Sequence, residues 1–115
     1  MPDIIEVLTL EAPEEKTYAV IVNFIDEDDV AVTPSAATWT LSDDKANIIN
    51  NRSEQAIGSL ASTKTIVLTG DDLAIGPNGL VRHLLVEYTY TSSLGADLKG
   101  ALEIHFKLRD FTRVQ

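Results

Sequence analysis

The chain has 115 residues, 44% of them hydrophobic, with no cysteine and a formal net charge of −9. That length suits one domain, spanning 1–115, with a core of its own, and the composition excludes a disordered polymer. The missing cysteine excludes disulfides, thiolate metal sites and a cysteine nucleophile, and fits folding in a reducing compartment.

The charge is uneven. Residues 1–57 carry twelve acidic side chains against Lys16, Lys45 and Arg52, whereas residues 58–115 carry six acids and six bases. An acidic first half argues against binding a phosphate backbone, which needs clustered Lys and Arg. Met1-Pro2-Asp3-Ile4-Ile5-Glu6 has acids where a signal peptide needs bases, and no segment approaches the roughly 20 apolar residues of a membrane helix. Neither nucleic acid nor membrane is therefore expected as a partner, and a soluble protein is.

In chain order, the elements read as strands. Ile4 to Leu10 is the first. Tyr18, Val20, Val22 and Phe24 form an apolar row whose alternates, Ala19, Ile21, Asn23 and Ile25, predict a central strand covered on both faces near its end. Ala37, Trp39 and Leu41 form the next row, with Thr38, Thr40 and Ser42 outward. Ala46 to Asn50 is a short candidate strand. Ile66 and Leu68 alternate with Thr65, Val67 and Thr69. Leu84, Val86, Tyr88 and Tyr90 share one face, opposite Leu85, Glu87, Thr89 and Thr91. Last, Leu102, Ile104, Phe106 and Leu108 alternate with Glu103, His105, Lys107 and Arg109. Period-two alternation is the mark of half-buried strands. Turn residues separate the rows: Pro13, Asp26 to Asp29, Pro34, Asp43-Asp44, Gly70-Asp71, Pro77-Asn78-Gly79 and Gly95.

About seven strands in this length predict an all-β chain, an antiparallel immunoglobulin-like sandwich without a disulfide. Trp39 falls on the third strand, on an inward row, as the core tryptophan of such domains does. The rows at Val20/Val22 and Val86/Tyr88 stand where an antibody domain has its cysteines. Tyr88 and Tyr90 are candidates for a tyrosine corner.

Four segments are similar in wording to small immunoglobulin-like proteins from tailed-phage and prophage structural gene regions. They are Val32-Thr33-Pro34 with Ala37 to Asp43, Asn47 to Arg52, Thr65 to Leu73, and Val86 to Gly95. The resemblance covers roughly residues 20–108 and rests on fold motifs; Tyr88 stands where a small residue is expected. It implies a non-enzymatic virion accessory or assembly protein, found in the virion or in the bacterial host cytoplasm before assembly. Its partner would be a capsid or tail protein, or a second copy of itself.

Residue by residue, chemistry is sparse. His83 and His105 are the only histidines, and both read as solvated strand residues. No nucleophile elbow, phosphate loop or zinc-protease motif occurs, so neither catalysis nor a cofactor is expected. Asp26, Asp28 and Asp29 are the candidates for calcium, as hard oxygen donors in one loop, without a complete ligand loop around them. The alternative function is an adhesion or carbohydrate-binding module, with or without calcium held in that loop. Glu103, Lys107 and Arg109 are expected to blunt the last strand as a sheet edge.

Overall fold

In a computed structural model, residues 4–7, 12–13, 16–74 and 79–109 are described. The strands are β1 (Ile4–Val7), β2 (Ala12–Pro13), β3 (Thr17–Asn23), β4 (Ala36–Ser42), β5 (Gln55–Ala56), β6 (Thr63–Thr69), β7 (Val81–Ser92) and β8 (Gly95–Arg109). A 3-10 turn, Gly70–Leu73, follows β6. The larger sheet runs β1-β8-β7-β4-β5, with β2 also on β8; the smaller is the pair β3-β6. The chain is all-β, with the two sheets face to face.

Alternation along each strand builds the core between them. Val20, Val22, Phe24, Leu41, Leu68, Leu73, Leu84, Val86 and Ile104 are all buried. Each such side chain contributes about 1.5–3 kcal/mol by leaving water. Aromatic rings join the sheets: Tyr18 meets Phe106 and Phe24 meets Tyr88, each at 5.0 Å between centroids. Tyr88 fits because Gly100 lies opposite it on β8; a Cβ there would come within 2.5 Å of the ring. Its hydroxyl donates to the Ile25 carbonyl at 2.7 Å. That bond ties β7 to the β3–β4 loop across the sandwich, so it is not the short-range bond of a tyrosine corner.

Several expectations are corrected. The last strand is no edge: β8 lies between β7 and the parallel strands β1 and β2. The expected antiparallel pairing holds elsewhere, and at that one place β1 and β2 run parallel to β8. The second apolar row is not a central strand, because β3 pairs only with β6 among the described residues; Ile21 on its other face is 61% exposed, and Ile25, past the strand's end, is partly covered. Ala46 to Asn50 forms no strand. Ala46 and Asn50 take positive φ (65° and 52°), which breaks an extended run and leaves a single bridge, Ser42 to Ile48. The short strand of this region is β5 instead. Trp39 is half-buried, at the margin of the core rather than its centre. Of the first expected strand, residues 8–10 lie outside the described residues.

Candidate functional site

Among the described residues, the outer face of the β7–β8 ladder carries one of two groups of three metal-ligating side chains. The Leu108 N–H donates to the Leu80 carbonyl, which sets the phase of the ladder. Counting in twos makes His83 and His105 a directly opposed pair without mutual backbone bonds, the kind whose side chains stand closest. Their rings stack at 3.9 Å, with planes 13° apart. Glu103, two residues before His105 on the same face, places Oε1 2.7 Å from His105 Nε2 and 3.7 Å from His83 Nδ1. All three side chains are partly exposed, at 24%, 36% and 26% for His83, Glu103 and His105. One donor atom from each lies within 4.8 Å of the others.

The acidic β3–β4 loop also gathers three carboxylates, Asp26, Glu27 and Asp28. Asp29, expected among the calcium ligands, is not in that group; it takes φ 62° at the turn. Asp26 Oδ1 accepts from the Asp28 and Val30 N–H groups at 2.8 and 3.0 Å, which makes it the former of this turn. Glu27 turns back to the sheet and accepts from the Tyr90 hydroxyl at 3.1 Å and the Ser92 hydroxyl at 3.0 Å. Burial, and then the Glu27 carboxylate, push the Tyr90 hydroxyl above its ordinary pKa.

Among the described residues, Asp72 and Arg82 are fully buried, and Asp43 is nearly so. Asp72 accepts from Arg52 Nε at 2.7 Å, Asn50 Nδ2 at 2.9 Å and the Thr69 N–H at 3.1 Å. Burial alone would raise its pKa, but these donors outweigh burial and hold the carboxyl below the usual range. The Arg52 guanidinium also lies 5.7 Å from the Trp39 ring centre. Arg82, at the end of the inward row of β7, donates to the carbonyls of Ala74, Gly79 and Val81. Burial lowers its pKa, opposed by Asp43 and Asp44. Both networks fasten loops to strands.

A third kind of surface lies at the edge of the smaller sheet. The Phe24 N–H donates to the Ser62 carbonyl, so Val22, Val20 and Tyr18 bond Lys64, Ile66 and Leu68. The backbone groups of Thr63, Thr65, Val67 and Thr69 then point away from β3. Among the described residues no strand pairs with that side of β6; the Thr69 N–H is taken by Asp72. Beside this edge runs an open groove of about 240 Å³, lined by Trp39, Ile57, Gly58 and the β6 residues Lys64 to Val67. On the outer sheet face, Val67 is 53% exposed.

No family model matches the chain. Neither a curated protein nor a solved structure matches it. Among the described residues, no helix is long and apolar enough to cross a membrane. Sequence reasoning placed both histidines on outward strand faces correctly, but missed that they meet. The signal was their parity about the β7–β8 turn. A register shift between Tyr90 and Ser92, where β8 inserts an extra residue and Asp97 takes φ 54°, hid the pairing.

Proposed function

We propose that the chain is an immunoglobulin-like contact module that acts through protein–protein binding, without catalysis, as a phage or prophage assembly protein. Support for the finer fold comes from strand order. A β3-β6 pair packed on β1/β2-β8-β7-β4-β5 corresponds to strands B and E against A′, G, F, C and C′, with the parallel partner of the last strand included. The four sequence segments quoted above support the phage setting.

The observation that carries the contact reading is the outward edge of β6. Backbone donors and acceptors at Thr63, Thr65 and Val67 lie beside a groove lined in part by Trp39. An extended segment of a capsid or tail protein added there would gain main-chain bonds from the edge and side-chain pockets from the groove. Larger grooves elsewhere are less suited. One, about 620 Å³ on the outer face around Ala36, Thr38, Glu87 and Lys99, is lined by short and charged side chains apart from Tyr88.

The test is incorporation into particles. Virions raised from a host carrying the gene should retain the chain through density-gradient purification. Val67→Lys should reduce the amount retained several-fold while leaving the melting temperature within about 2 °C, since an exposed strand position tolerates Lys. Chain found only in the particle-free fractions would sink the proposal.

A further inference from the structure

We propose that His83, Glu103 and His105 form a binding site for one divalent transition metal ion, zinc foremost. Two imidazoles and one carboxylate are a common zinc donor set, with Zn–N near 2.0–2.1 Å and Zn–O near 2.0–2.2 Å. Tetrahedral placement at those lengths separates the donor atoms by about 3.3–3.5 Å. The observed separations, 2.7 Å from Glu103 Oε1 to His105 Nε2 and 3.7 Å to His83 Nδ1, bracket that value. The third separation, between the two histidine donors, is within 4.8 Å, so side-chain rotations that unstack the rings would bring all three donors onto one ion with no change in backbone.

The scaffold favours this. His83 and His105 are fixed opposite one another on paired strands, and Glu103 is held on the same face of β8 by the pleat. A rigid sheet holds donors more firmly than a loop does. Apolar residues on the reverse of the same strands, Leu84, Ile104 and Phe106, are buried in the core and anchor the ladder beneath the site. The donors themselves are partly exposed, so an ion can enter, and one outward coordination position faces solvent. That position would take water or a donor atom from a bound molecule. Lys107, two residues beyond His105 on the same strand face, is exposed.

The donor chemistry also sets selectivity. Imidazole nitrogen suits zinc, copper and nickel, while calcium and magnesium prefer sites made of oxygen alone. The site is thus distinct from the acidic loop at Asp26 to Asp28, which offers only carboxylates. It does not depend on the assembly role proposed above.

The experiment is calorimetric titration of untagged full-length protein, stripped with a chelator, with zinc chloride. One ion per chain is expected at micromolar concentrations, unaffected by excess calcium. His83→Ala and His105→Ala should each weaken binding at least about 100-fold, and Glu103→Gln at least about 10-fold. Cobalt(II) should give the intense visible absorption of a four-coordinate ion, lost in the histidine variants. Thermal melts without metal check that the variants remain folded; their positions face outward, so the melts should coincide with wild type. Either of two results would overturn the proposal. One is no binding at millimolar zinc. The other is binding that survives in the His83→Ala/His105→Ala double variant, whether or not Asp26→Asn then removes it.

Discussion

Two polar clusters in this protein are made of similar parts and have opposite characters. Around Asp72, a fully buried carboxylate accepts bonds from Arg52, Asn50 and the Thr69 backbone. Around Glu103, a half-exposed carboxylate shares one close contact with His105 and a longer one with His83. The first is saturated by the chain itself and ties the loop after β4 to the end of β6. In the second, donor atoms converge without satisfying each other's capacity. Saturation, more than residue type, separates a cluster that holds the fold from one that can receive a ligand.

The sharpest way to break that contrast is Asp72→Ala. It removes a fully buried acceptor from three donors and should cost about 2–3 kcal/mol, less than a pair buried on both sides, because Asn50 is exposed and Arg52 partly so. The melting temperature should fall by roughly 10 °C, with or without zinc. The pH dependence follows from the depressed carboxyl pKa of Asp72. Its stabilisation is fully present above the unfolded carboxylate value, about 3.9, and is lost as pH falls through the folded value. The gap between wild type and Asp72→Ala, measured by denaturant titration, should hold constant from neutral pH to about pH 5 and close in acid. A gap that widened in acid would contradict this assignment.

A smaller effect is expected at the acidic loop. Asp26→Ala removes the acceptor for two turn N–H groups and should cost about 1 kcal/mol. If that carboxylate is a turn former only, adding calcium should shift the melt of neither wild type nor variant; a calcium-dependent rise confined to wild type would make the loop a binding site. The smallest effect belongs to Glu103→Gln. In metal-free buffer it should change stability by less than about 0.5 kcal/mol, since a partly exposed pair contributes little. A loss comparable to that at Asp72 would place Glu103 among the groups that hold the fold.

The rows of alternating residues made the strands legible, and with them most of the core. Tyr18 to Phe24, Leu84 to Tyr90 and Leu102 to Leu108 point inward as the alternation requires. What alternation could not show is neighbourhood. Nothing in Ile4 to Val7 announces that this strand runs parallel to β8, so β8 looked like an edge when it is an interior strand. Ile21 and Ile25 suggested a central strand covered on both faces near its end, because β-branched residues suit exposed strand surfaces as well as buried ones. Asp29 joined the calcium candidates by proximity in sequence, but the turn that Asp26 forms carries it away from the group. The histidine cluster was hidden by a single inserted residue near the hairpin. Counting from the turn without it sets His83 against Ile104; with it, His83 faces His105.

The parallel pairing of β1 with β8 also has a kinetic consequence. Ile4 meets Leu102, a partner roughly a hundred residues away along the chain, whereas β7 and β8 are joined by a tight turn. The hairpin can form early from local contacts, but its far flank stays open until a distant segment diffuses back to it. During that interval β8 is a bare strand edge, with His105 and Glu103 already in place beside it. Refolding in crowded solution is therefore most exposed to mispairing along this one strand, in the time before β1 arrives.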